Sequence, residues 1–192
     1  ELTKETAYKD RARLILGQLR SQKITTPKGI RWAANYNDFE YELNDLIEGG
    51  ASVGLALIDA KKHLGDPEME VEIRGTGDYL LSQALVAEGG LIWRMSLDYE
   101  RLLPNFSHGT AGIAFFMARL FEETGDEKYL KAALAGANHL KTIANYDHGG
   151  PLVYHANPGG KDRYYLAWCH GPVGTSRLFH TLARITKDNA WT

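Results

Sequence analysis

The sequence predicts an all-α protein built from helical hairpins that repeat with a period of about 61 residues. The first observation behind this prediction is an aromatic residue that recurs in "GIRW", "LIWR" and "LVYH", since Trp32, Trp93 and Tyr154 are evenly spaced along the chain. The second is a glycine motif that follows each aromatic residue, and the third is a Gly-Asp pair further along. A fixed period shared by independent markers is typical of helical repeats that stack into a solenoid or a ring.

The glycine motifs mark where the first helix of each hairpin begins. They read "IEGGASVG", "SHGTAGI" and "CHGPVGT", and they place Gly49, Gly109 and Gly171 at nearly the same spacing as the aromatic residues. Three helices that start near one centre require close approach of their backbones. Glycine permits that approach because it has no side chain.

The Gly-Asp pairs mark where one helix ends and the next begins. Gly65 follows Gly49 at the same separation as Gly125 follows Gly109, and an aspartate comes directly after both. Glycine is typical of a helix end and aspartate of a helix start. In the third copy Lys187 and Asp188 stand at the corresponding place.

Apolar residues at helical spacing predict a helix after each of these turns. The stripe after the second glycine motif consists of Ile113, Phe116, Met117, Leu120 and Phe121. The stripe after the second Gly-Asp pair consists of Tyr129, Leu130, Ala133, Leu134 and Ala137. The stripe of the third copy consists of Leu178, Phe179, Leu182 and Ile185. A fourth stripe of Tyr8, Ala12, Ile15 and Leu19 predicts the trailing helix of an earlier copy.

The repeat also predicts the domain organisation. We expect one domain over residues 1–192, with repeat units at about 30–90, 91–151 and 152–192, the last of them incomplete. Stacked hairpins bury their apolar faces only against neighbours. The chain is therefore expected to be part of a larger ring or solenoid, or to self-associate.

Composition excludes several classes of partner. A formal net charge of -2 gives no basic field for nucleic acid or for an anionic membrane. The sequence has no apolar run long enough for a transmembrane helix, and its first twenty residues are too charged for a secretion signal. One cysteine allows no intrachain disulfide. We therefore expect a cytoplasmic protein of ordinary composition, with 44% hydrophobic and 24% charged residues.

Three motifs in this order and at this spacing resemble the lanthionine synthetase C-like proteins, which include the lantibiotic cyclases and their eukaryotic relatives. They are "NDLIEGGASVGLAL", "FSHGTAGIAFFMARLF" and "YYLAWCHGPVGTSRLF", and the match covers most of the chain from Trp32 onward. The resemblance implies an α/α toroid of seven helical hairpins, of which this chain would form an incomplete ring. It also implies a central zinc ion held by two cysteines and one histidine.

The resemblance assigns one metal ligand and one neighbouring residue. Cys169 matches the first zinc ligand, in "WCHG". The other two ligands, a Cys-His pair one repeat later, would fall roughly sixty residues beyond Cys169, given the period of the repeat. His170 matches a position that lines the site, so we expect it to contact substrate.

The resemblance also assigns catalytic residues. His108 in "SHG" matches the catalytic histidine, and Asp45 in "NDLIEG" matches the acidic residue of the first motif. Lantibiotic cyclases carry an arginine four residues before the cysteine, where this chain has Tyr165. Arg163, two places away, is a candidate substrate-binding residue.

The implied activity is addition of a thiol to dehydroalanine or dehydrobutyrine, which forms a thioether. A thiolate is the nucleophile, and zinc coordination removes the thiol proton. His108 would supply the proton that the resulting enolate needs, and Asp45 would orient its imidazole. The expected partner is a thiol-containing peptide or a small molecule such as glutathione.

Each of these residues also has a purely structural interpretation. Cys169 could be a small buried apolar residue, His108 a turn residue and Asp45 a charge near a helix start. The remaining histidines show no ligand spacing and are interpreted as structural or exposed. They are His63, His139, His148, His155 and His180. Of these, His148 and His155 could line the rim of the site.

Two other functions share the same fold. A carbohydrate-active toroid would need paired carboxylates, and Asp45, Asp98 and Glu100 are the candidates. A non-catalytic toroid would bind a peptide or protein partner through its helical array.

Overall fold

A computed structural model describes residues 6–36, 39–147 and 149–191 of the chain, and most of them lie in helices. The first helix is α1 (Thr6–Arg20), which precedes the strands β1 (Lys23–Thr26), β2 (Gly29–Tyr36) and β3 (Phe39–Glu42). The first complete helical hairpin consists of α2 (Gly50–Leu64) and α3 (Glu68–Ser82). The strands β4 (Leu85–Ala87) and β5 (Gly90–Ile92) lead to the second hairpin, α4 (Thr110–Thr124) and α5 (Glu127–Ile143). The third copy contains α6 (Pro172–Thr186) and a short 3-10 helix, Asn189–Trp191.

The helices confirm the predicted hairpins. Helices α2, α4 and α6 begin directly after Gly49, Gly109 and Gly171, as the glycine motifs predict. The core forms around α4, whose residues from Thr110 to Ala118 are all buried. None of the described helices is long and apolar enough to cross a membrane.

Two of the three aromatic markers lie in or directly after short antiparallel sheets that pack on the second helix of a hairpin, whereas Tyr154 lies in no strand. β1, β2 and β3 form one sheet, and β4 pairs with β5 in another. Trp32 of β2 is buried and donates its indole N–H to Thr76 of α3 at 2.8 Å. Trp93, directly after β5, is fully buried and lies close to Gly136 of α5. The two aromatic residues therefore have equivalent positions in successive repeats.

The Gly-Asp turns are equivalent in structure as well as in sequence. Gly65 and Gly125 end α2 and α4 in the left-handed conformation, with φ of 65° and 68°. Lys187 ends α6 with φ of 57°, so a residue with a side chain takes the conformation that glycine adopts more easily. The aspartate after each position accepts a hydrogen bond from the backbone N–H two residues later, at 2.9 to 3.1 Å, in all three copies.

The apolar stripe predicted for α1 is wrong for Tyr8 and Ile15, although the helix itself is present. Leu16 is the buried residue of α1, whereas Tyr8 and Ile15 are 61% and 53% exposed. The reason is that the C-terminal end anchors the helix. Arg20 pairs through two nitrogens with the buried carboxylate of Glu72, at 2.8 Å each, and through a third with Asp66 at 2.7 Å. Ion pairs therefore hold the C-terminal end of α1 against α3, while Leu16 and Leu19 pack against the core.

Candidate functional site

The three glycine turns meet at one place, and backbone hydrogen bonds join them in series. The N–H of Leu46 in the first turn donates to the carbonyl of Ser107 in the second, at 3.0 Å. The N–H of Ser107 donates in turn to the carbonyl of Cys169 in the third, also at 3.0 Å. The N-termini of α2, α4 and α6 therefore open toward a common region. Helix N-termini carry a partial positive charge, which favours a thiolate or an enolate nearby.

A side chain on any of the three turn glycines would overlap neighbouring backbone. A Cβ on Gly49 would lie 2.5 Å from the carbonyl oxygen of Leu43, and a Cβ on Gly171 would lie 2.3 Å from that of Tyr165. The corresponding distance from Gly109 to the carbonyl oxygen of Leu103 is 1.5 Å. In each turn the glycine lies against the carbonyl oxygen of the residue six positions earlier. The three turns therefore share one geometry.

Asp45 is the centre of the first turn. Its side chain is completely buried, and Oδ1 accepts hydrogen bonds from the backbone N–H groups of Ile47, Glu48 and Gly49 at 2.9 to 3.2 Å. These three bonds give partners to backbone N–H groups of the turn that leads into α2. The structure thus gives Asp45 a structural role as well as a contact with the site.

The other oxygen of Asp45 contacts His108. Nδ1 of His108 lies 2.6 Å from Oδ2 of Asp45, and the His108 side chain is about one-third exposed, at 32%. A carboxylate can only accept hydrogen bonds, so His108 carries a proton on Nδ1 in this contact. In the neutral ring, Nε2 then has a free lone pair. This is the arrangement of a histidine held by a carboxylate to act as a base.

The second turn fixes the backbone of His108 in a similar way. Asn105 occupies the position that corresponds to Asp45, and its Oδ1 accepts the backbone N–H of His108 at 2.9 Å. Asn105 and Ser107 are both completely buried. Two polar residues with no exposed surface therefore lie in the turn that carries the partly exposed imidazole.

A line of aromatic rings continues from His108. The rings of His108 and His170 have centroids 5.8 Å apart, and those of His170 and His155 are 4.9 Å apart. Tyr165 packs against both, at 5.7 Å from His170 and 5.1 Å from His155. We call His155, Tyr165 and His170 the histidine wall. The structure therefore brings His108, Asp45 and the predicted substrate contact His170 together.

The pKa values of the two histidines in the wall are both lower than usual. Burial is the main cause for His155, and the positive charges of Arg101 and Arg163 add to it. Burial is also the main cause for the lowered pKa of His170, followed by the neighbouring His155 and His108. Both imidazoles are therefore neutral near pH 7.

The remaining candidates lie less close to this centre. Arg163 is exposed, and its backbone carbonyl rather than its guanidinium contacts the wall, through a hydrogen bond from the N–H of His155 at 2.8 Å. Asp98 and Glu100 are exposed, so they form no buried pair with Asp45. His63 and His180 are exposed and His139 binds the carbonyl of Glu88 at 2.7 Å, as expected for structural or surface residues. His148 lies outside the described residues.

Among the histidines of the site, His155 is the one whose position the sequence predicts least well. The sequence indicates a structural or exposed histidine, with a place at the rim as an alternative, yet its ring is in direct contact with His170. Its loop has no helical or strand periodicity that could place it. The concentration of histidine and aromatic residues in "DHGGPLVYHANPGGKDRYY" is the available signal.

The described residues do not by themselves form a zinc site. Cys169 is exposed, and no group of three or more His, Cys, Asp or Glu side chains in residues 6–36, 39–147 and 149–191 is placed to hold a metal ion. A stable zinc site needs at least three protein ligands. Cys169 is one candidate ligand, and the described part of the chain supplies no complete set.

Comparison with known proteins agrees with the motifs. The family model for lanthionine synthetase C-like proteins matches residues 1–190. No curated protein matches the sequence.

Solved structures of similar fold come from glycoside hydrolases of Bacteroides thetaiotaomicron. A family 76 α-mannanase has a TM-score of 0.74 at 15% identity, over 98% of this chain and 52% of that chain. A family 76 mannosidase of the same species has a TM-score of 0.70 at 12% identity, over 97% and 51%. A family 76 glycoside hydrolase from a bovine strain has a TM-score of 0.67 at 16% identity, over 97% and 40%. The likeness to these α/α toroid enzymes confirms the predicted fold class, and the chain spans about half of their length.

Proposed function

Because the chain belongs to the lanthionine synthetase C-like family, we propose that it acts in the addition of a thiol to a dehydrated amino acid residue, which forms a thioether. The observation that carries this proposal is the 2.6 Å contact between His108 Nδ1 and Asp45 Oδ2, at the place where three helix N-termini meet. It supports the proposal because the reaction needs a group that first takes a proton and then returns one.

The proposed reaction uses His108 twice. Nε2 takes the proton from the substrate thiol, and the sulfur attacks the β-carbon of dehydroalanine or dehydrobutyrine. The carbon-carbon π electrons move toward the carbonyl group and leave an enolate. His108 then returns its proton to the α-carbon, and the carbonyl group forms again. One S–C bond and one C–H bond are made, and one S–H bond and one π bond are broken.

Asp45 stabilises the protonated form of His108 during this cycle. Its carboxylate stays in place because three backbone N–H groups hold Oδ1. The imidazole can therefore gain and lose a proton at Nε2 without turning away, which is how an orienting carboxylate contributes to catalysis. The helix N-termini favour the negative charge of the enolate at the same time.

The substrate proposed for this site is a thiol-containing peptide or a small thiol such as glutathione. His170 lies beside His108 and is proposed to contact the reacting group. Arg163, whose side chain is exposed, is proposed to contact a more distant part of the substrate. Its guanidinium would suit a substrate carboxylate.

Zinc is proposed to take part through Cys169, which would supply one thiolate ligand. When bound, zinc would lower the pKa of the substrate thiol and so increase the fraction of thiolate. The other ligands would have to come from outside the described residues, because those residues hold no group of ligands that suits a metal.

The presence of one candidate zinc ligand among the described residues gives a direct prediction. The 192-residue chain, purified by itself in buffer with added zinc and then desalted, should retain well under one zinc ion per chain, since a single thiolate binds zinc weakly. Elemental analysis by mass spectrometry measures the ratio, with Cys169→Ser as the matched variant. Retention of one zinc ion per wild-type chain, with none in the variant, would contradict the conclusion that Cys169 is the single candidate zinc ligand among the described residues.

The proposed function is tested by supplying a dehydroalanine-containing peptide and glutathione to the protein expressed from its native gene. We expect the adduct, detected by mass spectrometry, to form faster than in a reaction without protein. A rate equal to that of the protein-free reaction would contradict the proposal. Hydrolysis of mannan in place of adduct formation would favour a carbohydrate-active toroid. Tight binding of the peptide without either reaction would favour a non-catalytic one.

A further inference from the structure

The loop that carries His155 is held in a defined position next to the site. The N–H of His155 donates to the carbonyl of Arg163 at 2.8 Å, which joins the two sides of the loop. Leu102 and Asn157 exchange a pair of backbone hydrogen bonds at 2.7 and 2.9 Å, which joins the loop to the segment before the second glycine turn. His155 is therefore fixed relative to His108 by backbone contacts on both sides.

The ring of His155 has a specific orientation. It meets the rings of His170 and Tyr165 edge to face, with interplanar angles of 73° and 74°. Such packing restricts rotation of the side chain, because either neighbour would clash with a turned ring. The ring of His170 contacts both His155 and His108, so the three imidazoles lie in series.

The two nitrogens of His155 differ in their surroundings. Nδ1 is buried and has no hydrogen-bond partner among the described residues, and the same is true of Nδ1 of His170. The Nε2 atoms of these rings are not buried in this way. A proton on Nδ1 would bury an unpaired donor, which is costly. We therefore assign the proton of the neutral His155 ring to Nε2, the nitrogen that is not buried without a partner.

We propose that His155 is a further catalytic residue, whose Nε2–H donates a hydrogen bond to the carbonyl oxygen of the dehydrated residue when thiol addition places negative charge on that oxygen. The inference rests on the proposed function, because that reaction is what creates the charge. A donor fixed in advance stabilises such an oxygen without having to reorient.

The tautomers of His108 and His155 suit two different roles in the reaction. In the neutral ring of His108 the proton on Nδ1 points toward Asp45, so Nε2 is an acceptor. His155 is assigned the opposite tautomer, so its Nε2 is a donor. The group that takes the proton from sulfur and returns it to the α-carbon must be an acceptor first and a donor afterwards. The carbonyl oxygen of the dehydrated residue needs a hydrogen-bond donor throughout. The lowered pKa of His155, caused mainly by burial, keeps this donor neutral.

The experiment compares two replacements of His155 that keep different features of it. His155→Gln keeps an N–H donor of similar reach but loses the aromatic ring. His155→Phe keeps the ring and its packing but loses the donor. Both are measured in the protein expressed from its native gene, with glutathione and a dehydroalanine-containing peptide, and kcat and KM are determined separately. Folding of each variant is checked by circular dichroism.

A donor role predicts that His155→Phe lowers kcat by about 100-fold, as removal of one oxyanion donor commonly does, and that His155→Gln keeps most of the activity. A role in packing alone predicts the reverse order, which would overturn the proposal. Retention of full kcat by both variants, or an equal loss in both, would also overturn it. In these cases the wild-type protein is active, so the proposed function stands. An inactive wild-type protein would overturn both.

Discussion

Replacement of His108 by alanine is expected to lower the kcat of thiol addition by about 100-fold or more. The imidazole contacts the buried carboxylate of Asp45 at 2.6 Å, and its side chain is about one-third exposed beside the glycine turns. Without it, the site loses the imidazole that is proposed to take the thiol proton and return it to the α-carbon. The effect should lie in kcat, since His108 acts on the proton and not on substrate affinity.

The control for this variant is His63→Ala, which removes an exposed histidine near the end of α2 and should leave kcat unchanged. Thermal unfolding of both variants separates loss of catalysis from loss of structure. His108 is about one-third exposed, so its removal leaves no sealed cavity and should change the unfolding temperature little. A folded His108→Ala protein with wild-type kcat would show that the Asp45–His108 contact is structural.

Replacement of Gly49 by alanine is expected to lower the free energy of unfolding by about 2 to 3 kcal/mol, within the range for overpacking of a closely packed position. The added Cβ would lie 2.3 Å from the backbone nitrogen of Asp45 and 2.5 Å from the carbonyl oxygen of Leu43. Backbone atoms at this place cannot move aside like the end of a long side chain. The turn would have to open, and the hydrogen bonds to Asp45 would weaken with it.

Gly50 gives a matched control, since it is the next residue along the same chain. A Cβ at Gly50 would meet the side chain of Leu80 at 3.6 Å, which is an ordinary contact. Gly50→Ala should therefore change stability by less than about 1 kcal/mol, and the higher helix propensity of alanine acts in its favour. Urea unfolding curves of the two variants measure the difference. Equal stability of the two would mean that the close approach at Gly49 does not shape the turn.

Much of the fold could be predicted because the repeat appears in several kinds of residue at once. The glycine turns, the Gly-Asp turns and the apolar stripes all depend on local backbone geometry or on helical periodicity. The stripe of α1 could not be predicted correctly for the opposite reason. Its packing depends on the pairing of Arg20 with Glu72, which lies 52 residues away and has no periodic signal. Helix α1 is therefore present as expected, but it buries Leu16 and leaves Tyr8 and Ile15 exposed.

Some residues of the site could be predicted from the sequence and others could not. Asp45 and His108 are 63 residues apart, and their contact could be anticipated only because the family motifs pair them. The repeat places both in equivalent turns, but it does not say that their side chains meet. His155 could not be placed in this way. It lies in an irregular loop whose position depends on backbone hydrogen bonds to Leu102 and Arg163 rather than on any pattern in the sequence.

The stereochemistry of the addition tests the central claim most directly. The reaction of glutathione with a dehydroalanine-containing peptide is run in heavy water with the protein expressed from its native gene, and the product is resolved by chromatography and NMR. A deuteron delivered by His108, which Asp45 holds in one position, should give a single diastereomer with deuterium at the α-carbon. A mixture of diastereomers in the same proportion as in the reaction without protein would contradict the account.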